Sequence, residues 1–264
     1  MRYILVTGAA GGMGKSATKT LAEKGYTVFA LDRQHNESIV ENIIPITADV
    51  TDEESVKKAF EEIKKHTDKL YGILHFAGIY MLNSLAEMTT DDFEKIIRIN
   101  LTGVFLINKT FLPMLDNGSK ILITTSELAP LHPLPFTGVY AVSKAALDKY
   151  AYSLRMELQL LGISVSVLRA GAVDTGMLTV STDALDRFCN ETKLYSCNAK
   201  RFKGIVERVE ARKISTAKLA KKATCILEKK HPKFAYTINR NPLLLLFEIL
   251  PDRLRFWVIK KILK

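Results

Sequence analysis

Two residues whose side chains can move a proton stand four positions apart in the stretch YAVSKAALDKY, namely Tyr140 and Lys144. In a helix, residues four apart are neighbours on one face, so the phenol and the ammonium would lie side by side. Such a pair can give a proton to a substrate oxygen or take one from it. A lysine-rich chain with nine tyrosines is expected to contain one such pair by chance, so the pair alone indicates little. Its meaning depends on the elements around it.

A glycine-rich stretch, TGAAGGMGKS, follows the first apolar run, YILV. A P-loop would need a glycine five positions before Gly14, and Ala9 stands there, which argues against a nucleotidase. A dinucleotide-binding loop needs glycines for the tight turn, the close approach of the diphosphate and the helix packing. Gly8, Gly12 and Gly14 can supply all three, with the spacing G-x-x-x-G-x-G. We therefore predict a dinucleotide site between a strand and a helix.

Asp32 ends the second apolar run, VFALD, 18 residues after Gly14. A carboxylate at this place can accept hydrogen bonds from the adenosine ribose and would repel a 2′-phosphate. Arg33 follows directly, and its guanidinium could hold that phosphate instead. The pair favours NAD as the cofactor, with NADP as the alternative. The alternative to a cofactor-binding role is a structural one, in which Asp32 only caps a turn at the end of the strand.

Short apolar runs alternate with helical patterns along the chain. Strands are predicted at 3–6, 27–31, 43–46, 70–76, 121–125 and 163–168, and helices at 14–24, 52–66, 91–115 and 139–161. Strands joined by helices of this length require right-handed crossovers in a parallel sheet. The prediction is an α/β fold, a Rossmann-like doubly wound parallel sheet of about seven strands with helices on both faces and a helical C-terminal extension. Residues 1–240 would form one domain, with its ligand crevice at the carboxyl ends of the strands.

With these elements in place, the sequence resembles the short-chain dehydrogenase/reductase family from residue 3 to about residue 177. TGAAGGMG resembles the family's T-G-x-x-x-G-x-G loop, ADV at 48–50 its adenine contact, and AGAVDT at 170–175 its P-G-x-x-x-T motif. IRINLTG, ILITTS and YAVSK carry its four catalytic residue types. The resemblance implies these catalytic residues: Asn100, Ser126, Tyr140 and Lys144. It implies these cofactor-binding residues: Gly8, Gly12, Met13, Gly14, Asp32, Arg33, Asp49, Val50, Ala77, Gly78, Tyr140, Lys144, Val173 and Thr175.

The sequence departs from the family pattern at three places. The family's N-N-A-G is HFAG here, so His75 and Phe76 replace two asparagines whose hydrogen bonds must come from elsewhere. For His75 a structural role in the sheet is favoured over a catalytic one. Ala170 replaces a proline. Ser126 precedes Tyr140 by 14 residues, one more than is usual in the family, so the neighbouring Thr125 is an alternative to it.

These residues imply hydride transfer between a carbinol carbon and nicotinamide. Tyr140 would exchange the proton, and the positive charges of Lys144 and of an oxidised nicotinamide would favour its phenolate. The family resemblance also implies that Lys144 holds the nicotinamide ribose and that Asn100 anchors a water on the proton path. Ser126 would hold the substrate oxygen. Thr175 and the backbone around Val173 would hold the carboxamide.

The substrate is indicated by residues beyond the catalytic motifs. LDKYAYSLRMELQLLGISVSVLRAG resembles the family branch that acts on steroids, retinoids and other lipophilic alcohols. A substrate lid is expected at about 177–212, with apolar side chains for a lipophilic pocket and basic ones for an acidic tail; packing within the lid is the alternative. The apolar candidates are Met177, Leu178, Leu185, Phe188 and Leu194, and the basic ones are Lys193, Lys200, Arg201 and Lys203.

The net charge of +10 is concentrated in the C-terminal quarter, where residues 200–264 hold 18 of the 38 basic residues and five of the 28 acidic ones. No nucleic-acid-binding motif accompanies it, so no nucleic-acid partner is predicted. Residues 241–264 are a basic amphipathic extension, with Trp257 placed as an interfacial anchor, and suit a peripheral membrane contact. The alternative is a subunit or domain contact that buries residues 243–247.

The remaining composition indicates a cytoplasmic protein. The first residues are typical of a strand rather than a signal peptide, and no apolar run is long enough to span a membrane. The three cysteines, Cys189, Cys197 and Cys225, lack metal-ligand spacing, so reduced thiols and no metal are predicted.

Two hypotheses follow. The first is an NAD(P)-dependent dehydrogenase/reductase for a lipophilic secondary alcohol or ketone, with a hydroxysteroid or bile acid favoured. The second is a non-catalytic dinucleotide sensor or membrane-associated scaffold that keeps the fold, favoured by the HFAG motif and the shifted Ser126. The intact Tyr140–Lys144 pair favours the enzyme. The family resemblance implies a homodimer or homotetramer.

Overall fold

The computed structural model describes residues 2–34, 41–209 and 213–264, and only the backbone of residues 176–183 and 207–209 among them. Its strands are β1 Tyr3–Thr7, β2 Thr27–Asp32, β3 Ile43–Thr47, β4 Gly72–His75, β5 Lys120–Ser126, β6 Ser164–Ala170, β7 Val173–Asp174, β8 Ile214–Ser215 and β9 Ala235–Ile238. Its helices are α1 Gly12–Glu23, α2 Glu53–Lys64, α3 Thr90–Ile97, α4 Gly103–Phe111, α5 Gly138–Leu158, α6 Gly176–Glu191, α7 Ser196–Val209, α8 Thr216–Leu227, α9 Pro242–Glu248 and α10 Asp252–Leu263.

Seven strands form one parallel sheet in the order β3-β2-β1-β4-β5-β6-β9, which confirms the predicted doubly wound fold. The order reverses between β1 and β4, where Thr7 pairs with His75. Ligands of such sheets bind at this switch point, beyond the carboxyl ends of the strands. The four residues predicted to be catalytic all lie at that end of the sheet or on helices beside it.

Both faces of the sheet are covered by helices, as the continuous apolar strands require. On one face α2, α4 and α5 bury apolar side chains against the strands, including Ile63, Phe111 and Leu147. On the other face α1 and α8 do so, with Leu21 and Leu219 fully buried. These two cores hold the strand ends in fixed positions, and so position the site.

The predicted helix at 91–115 is interrupted, and this part of the prediction is wrong in detail. α3 and α4 are separated by a turn of π-helix, Arg98–Thr102, which contains the fully buried Asn100. The Asn100 side chain bonds to both backbone groups of Ile79, a contact across 21 residues that periodicity does not reveal. A π turn inserts one residue into the helix and is frequent at functional sites.

The lid and the extension pack against each other beside the sheet. α6, α7 and α10 share a third apolar cluster that includes Leu185, Phe188, Phe202 and Leu263. β7 and β8 pair with each other outside the main sheet, and in the sequence they flank the lid helices α6 and α7. Across the described residues, none of the helices is long and apolar enough to span a membrane.

Candidate active site

Tyr140, Lys144 and Ser126 meet at the carboxyl end of β5. Tyr140 and Lys144 lie one turn apart in the first half of α5, as the spacing predicted, and Lys144 Nζ is 5.8 Å from the centre of the Tyr140 ring. Ser126 is the last residue of β5, and its hydroxyl is hydrogen-bonded to that of Tyr140. Lys144 Nζ also donates to the carbonyl oxygen of Thr124 at 3.4 Å. A phenol, a hydroxyl and an ammonium therefore converge on one point.

The choice between Ser126 and Thr125 is decided by their hydrogen bonds. The Thr125 hydroxyl donates to Asp148 Oδ1 at 3.2 Å, and Asp148 is held in turn by the guanidinium of Arg169 at 2.6 and 3.0 Å. Thr125 is thus engaged with α5 and β6, whereas Ser126 bonds to Tyr140. This geometry favours Ser126 as the group that holds a substrate oxygen.

The pKa of Tyr140 is raised in the protein without a dinucleotide. Burial raises it to about 12, although the hydrogen bond with Ser126 acts in the opposite sense. Burial also lowers the pKa of Lys144, to about 8. Both shifts have one physical cause, because a largely apolar cavity disfavours the charged form of each group. In the protein without a dinucleotide, Tyr140 therefore holds its proton at neutral pH, and the effect of Lys144 together with an oxidised nicotinamide on the phenol stays a prediction.

Asn100 connects the π turn to the two segments beside Lys144. Its Oδ1 accepts from Ile79 N at 2.8 Å, and its Nδ2 donates to Ile79 O and to Ser143 Oγ, both at 3.0 Å. Ser143 Oγ donates to Tyr140 O at 2.8 Å, so the network reaches the first turn of α5. Gly78 lies between Asn100 and Lys144: a Cβ there would be 3.1 Å from Asn100 Oδ1 and 3.4 Å from Lys144 Nζ. Asn100 therefore holds the backbone around Ile79 against α5.

The predicted glycine loop has the backbone that a dinucleotide needs. Gly8 has a φ of +70°, and a Cβ there would lie 2.5 Å from Ala77 N. A Cβ on Gly14 would lie 2.0 Å from Gly8 O, so α1 begins directly against the loop. A Cβ on Gly12 would lie 3.1 Å from the Thr175 side chain. The loop thus packs closely against Ala77, α1 and Thr175, with no room for side chains at residues 8 and 14 and little at residue 12.

The residues predicted for the adenosine lie at the ends of β2 and β3. The Asp32 carboxylate is part-buried and accepts from Ala10 N at 2.9 Å and from Arg33 N at 2.7 Å, which ties it to the glycine loop. Burial opposes ionisation of Asp49, but hydrogen bonds from Thr51 N and Oγ1, with the positive charge of Arg33, bring its pKa below the usual range. Both carboxylates are acceptors here.

Further cofactor candidates lie at the same end of the sheet. Val50 packs against α4, where a Cβ on Gly103 would be 2.8 Å from its side chain. Met13 and Val173 line the cavity described below, with Thr175. The structure therefore brings the predicted cofactor-binding residues to one edge of the sheet.

His75 and Phe76, which replace the family asparagines, are both buried. His75 Nε2 lies 2.9 Å from Asn108 Oδ1, and Asn108 Nδ2 donates to the Tyr150 hydroxyl at 3.2 Å. Burial lowers the pKa of His75 to about 4 against the effect of this hydrogen bond, so the ring is neutral. His75 Nδ1 has no hydrogen-bond partner in the described structure, so the structural histidine is only half satisfied.

The support lost with the asparagines comes in part from β1. Phe76 N donates to Thr7 O at 3.0 Å, and Ala77 N approaches Thr7 Oγ1 at 3.5 Å. Phe76 itself joins the apolar core and the cavity wall. The HFAG segment is therefore held against the glycine loop by backbone contacts, with apolar packing in place of amide hydrogen bonds.

A cavity of about 780 Å³ lies in front of Ser126, Tyr140 and Lys144. This volume is within the range of small-molecule sites, about 300–1,000 Å³. Its wall is mainly apolar away from the catalytic groups. The lid and the extension supply this apolar wall: Phe202, Ile205, Val206, Leu243, Leu244, Phe247, Ile259, Ile262 and Leu263.

The lid residues predicted from the sequence take other positions. Leu185 and Phe188 are buried in the third apolar cluster, which corresponds to packing within the lid, and Leu194 is exposed. The side chains of Met177 and Leu178 lie outside the described residues. Of the basic candidates, Lys203 pairs with Asp186 of α6, while Lys193, Lys200 and Arg201 are exposed. The lid contributes to the cavity through Phe202, Ile205 and Val206 of α7 and not through those predicted apolar residues whose side chains the structure describes.

Two tethers that the sequence analysis missed join the loop after Ser126 to α9. Glu127 is half-buried, and its Oε2 accepts from Asn241 N at 2.6 Å at the start of α9. Burial raises the pKa of this carboxyl, although the Asn241 hydrogen bond and the charge of Arg240 oppose the shift. His132 pairs with Glu248 at the end of α9 through its ring and its backbone N–H. Both contacts cross more than 100 residues, so no local pattern indicates them.

Comparison with known proteins agrees with this geometry. Residues 2–186 match the family model described as short chain dehydrogenase. The chain is 31% identical over 201 residues to estradiol 17-beta-dehydrogenase 2 of Mus musculus, covering 72% of this chain and 52% of that protein. It is 26% identical over 234 residues to 3-ketodihydrosphingosine reductase of Bacteroides thetaiotaomicron, covering 88% of this chain and 86% of that protein. A short chain dehydrogenase family protein of Francisella tularensis shares the fold, with a TM-score of 0.76 at 23% identity over 91% of this chain and 98% of that one.

Proposed function

Because the chain belongs to the short-chain dehydrogenase family, we propose that it transfers hydride between a nicotinamide dinucleotide and a lipophilic secondary alcohol or ketone. A hydroxysteroid, bile acids included, is the favoured substrate. Two similar proteins are named for lipophilic substrates, estradiol and 3-ketodihydrosphingosine. The proposal takes substrate class from these names and reaction type from the family.

One observation carries the proposal: the hydrogen-bonded Ser126 and Tyr140 lie at the wall of a largely apolar cavity of about 780 Å³. A bulky apolar molecule with a single oxygen function matches such a cavity, because apolar walls bind its body and polar groups fix its orientation. A pure dinucleotide sensor would not need a phenol, a hydroxyl and an ammonium at this point. The geometry therefore supports an enzyme over a scaffold.

The residues at the predicted dinucleotide site fit a nicotinamide dinucleotide. Gly12 brings the backbone of the loop close to Thr175, and the N-terminus of α1 that begins there can hold a diphosphate. Asp32 would hold the adenosine ribose, Asp49 and Val50 the adenine, and Lys144 the nicotinamide ribose. Ala77 and Gly78 would contact the dinucleotide between these two ends. When bound, the dinucleotide supplies or accepts the hydride.

The chain's own residues hold the substrate oxygen and move its proton. In the reductive direction Ser126 would donate a hydrogen bond to the carbonyl oxygen and fix its position. Tyr140, protonated at neutral pH, would then donate its proton to that oxygen. The ammonium of Lys144 would stabilise the phenolate that remains. Asn100 would keep the backbone around Ile79 in place, so that Tyr140 can be reprotonated from solvent. In the oxidative direction the same groups act in reverse.

The experiment that tests this proposal follows the absorbance of the reduced nicotinamide with the purified protein. NADH and NADPH are each offered with ketosteroids, oxidised bile acids, retinal and long-chain ketones, and the oxidised cofactors with the matching alcohols. Turnover of at least one steroid or bile acid is expected. Turnover of long-chain ketones alone would overturn the steroid assignment. Binding of the dinucleotide without turnover of any substrate would overturn the proposal that the protein is an enzyme.

NAD is the cofactor that we propose, and its selection is expected to depend on Asp32. The part-buried carboxylate could accept hydrogen bonds from the ribose hydroxyls and would repel a 2′-phosphate. Replacing Asp32 by Ser is expected to lower the preference for NAD, measured as a ratio of kcat/KM values, by about tenfold, or about 1.4 kcal/mol. Arg33→Ala is the matched control, and is expected to weaken NADP use without reducing NAD use. If the wild type prefers NADP and Arg33→Ala removes that preference, the selection depends on Arg33 instead.

The rate of ketone reduction is expected to fall as pH rises through about 8. Burial lowers the pKa of Lys144 to about 8, so its ammonium is present below that pH and lost above it. Tyr140, with a pKa raised to about 12, keeps its proton over this range, so the loss is assigned to Lys144. Above the inflection, kcat is expected to fall by up to about tenfold per pH unit.

The pH profile is measured between pH 6 and 10 for the wild type and for Lys144→Arg. A guanidinium stays charged over this range. The variant is therefore expected to be slower but to show no fall near pH 8. An unchanged inflection in Lys144→Arg would assign the titration to another group.

The proposal extends to organisation and location. We treat residues 1–240 as one Rossmann domain and 241–264 as an extension that completes its cavity. A homodimer or homotetramer is supported by apolar side chains exposed on α4 and α5, such as Phe105, Tyr152 and Met156. A cytoplasmic protein with peripheral membrane contact through 241–264 completes the proposal.

A further inference from the structure

The C-terminal helix pair is a fixed part of the molecule. Arg255 is buried and its Nη2 donates to Glu248 O at 3.1 Å and to Leu250 O at 2.9 Å, which caps the end of α9. At the other end of the pair, Asn198 of α7 donates to Leu263 O at 2.6 Å. The tethers from Glu127 and His132 hold α9 to the catalytic loop. α9 and α10 therefore present a defined outer face.

That outer face is apolar and basic. Phe256 and Trp257 are exposed by 71% and 56%, although large aromatic side chains gain most from burial. Three further apolar side chains of the pair are exposed: Leu246, Ile249 and Leu254. Four basic side chains are exposed as well: Arg253, Lys260, Lys261 and Lys264. We call these nine residues the α9–α10 surface. Exposed aromatic and aliphatic groups with lysines in the following turn are typical of a helix that lies at a lipid interface.

The cavity in front of Tyr140 opens at the edge of this surface. Leu243 at the start of α9 and Ile262 at the end of α10 both line the cavity and keep 59% and 49% of their surface accessible to solvent. Wall residues this accessible, on the two helices that carry the α9–α10 surface, are the candidates for the rim of an opening. Because both rim residues are aliphatic, a lipophilic molecule can pass them without losing hydrogen bonds.

We propose that the α9–α10 surface docks on an anionic lipid bilayer, and that the substrate passes between that bilayer and the cavity over the rim formed by Leu243 and Ile262. The apolar side chains enter the interfacial region, and the lysines and Arg253 meet lipid phosphates. The docking rests on the surface alone. The passage of substrate rests on the proposed function.

Charge distinguishes a bilayer from a second copy of the chain. Between residues 252 and 264 five basic residues accompany one acidic residue, Asp252. A two-fold contact through this surface would bring the basic clusters of two copies together, and like charges would oppose it. An anionic bilayer neutralises the same charges. A self-associating face of this composition would need acidic groups, which the surface lacks.

Trp257 provides the readout, since it is the one tryptophan of the chain. Full-length protein is titrated with vesicles of phosphatidylcholine and with vesicles of phosphatidylcholine and phosphatidylglycerol at 7:3. A blue shift of the Trp257 emission and quenching by brominated acyl chains are expected with the anionic vesicles, at about tenfold lower lipid concentration than with the neutral ones. Salt is expected to weaken the binding.

Two double variants separate the contributions, with cosedimentation as the assay. Leu246→Ser/Phe256→Ser and Lys260→Gln/Lys261→Gln are each expected to lose about tenfold or more in vesicle affinity. Leu160→Ser/Leu161→Ser is the matched control, because these leucines are exposed at the end of α5 away from the pair. The control is expected to bind vesicles as the wild type does.

Activity tests the passage of substrate. With a ketosteroid dissolved in anionic vesicles, Leu246→Ser/Phe256→Ser is expected to lose most of the wild-type rate, while its rate on a water-soluble ketone stays unchanged. No emission shift with anionic vesicles would overturn the docking, as would a shift that grows with protein concentration in the absence of lipid. Vesicle binding without turnover of any ketone would support the docking and contradict the proposed function.

Discussion

Replacing Tyr140 by Phe is expected to lower kcat by about 10³-fold, because the variant keeps the ring and loses the proton that the reaction needs. The hydroxyl is hydrogen-bonded to Ser126, the group proposed to hold the substrate oxygen, so Tyr140 is the phenol placed to donate to that oxygen. Dinucleotide affinity is expected to change by less than tenfold, since the glycine loop and Asp32 are untouched. Steady-state kinetics and dinucleotide titration measure the two quantities.

Tyr80 offers a matched control for this substitution. Its ring lies 4.9 Å from that of Tyr140, and it lines the same cavity. Tyr80→Phe removes the same atom from a neighbouring ring, and its kcat is expected to remain within tenfold of the wild type. Equal losses in both variants would mean that the Tyr140 hydroxyl acts through cavity structure and not as the proton donor.

Gly14→Ala is expected to abolish most dinucleotide binding and to destabilise the fold. The added Cβ would lie 2.0 Å from Gly8 O, a backbone atom, so either the loop or α1 must move. Forced overpacking of this kind costs about 1–3 kcal/mol in the free energy of unfolding. The displaced loop would also lose the approach to the diphosphate, with an expected loss of affinity of about 10²-fold or more.

Gly11→Ala tests whether the position or the loss of glycine itself matters. A Cβ on Gly11 would lie 3.4 Å from the same oxygen, Gly8 O, and its φ of −71° suits any residue. Its effect on unfolding is expected to stay within about 0.5 kcal/mol. Thermal unfolding and dinucleotide titration of both variants are compared. If the two variants behave alike, the contact between α1 and the loop is not what shapes the site.

The parts of the site that follow from local sequence were predictable. The glycine loop, Asp32 at the end of β2 and Tyr140 with Lys144 on one helix depend on strand–loop–helix order and helical spacing. Ser126 was predictable as a strand end, but the choice against Thr125 was not. That choice depends on the bond between Thr125 and Asp148, 23 residues away.

The remaining parts depend on contacts between distant segments. The π turn at Asn100 follows from its bonds to Ile79 and Ser143, and the cavity wall follows from the packing of α7 with α10. The direction of the Tyr140 pKa depends on burial in that cavity, which the sequence does not state. Charge proximity alone therefore does not give the direction of this shift in the protein without a dinucleotide.

The most direct test of the central claim uses NADH carrying deuterium at the transferred position of the nicotinamide. The wild-type protein is incubated with a ketosteroid, and the alcohol product is analysed by mass spectrometry and NMR. Hydride transfer predicts one deuterium on the new carbinol carbon, and Tyr140→Phe is expected to form the same labelled product far more slowly. A dinucleotide that binds the wild type but transfers no deuterium to any ketone offered would contradict the account.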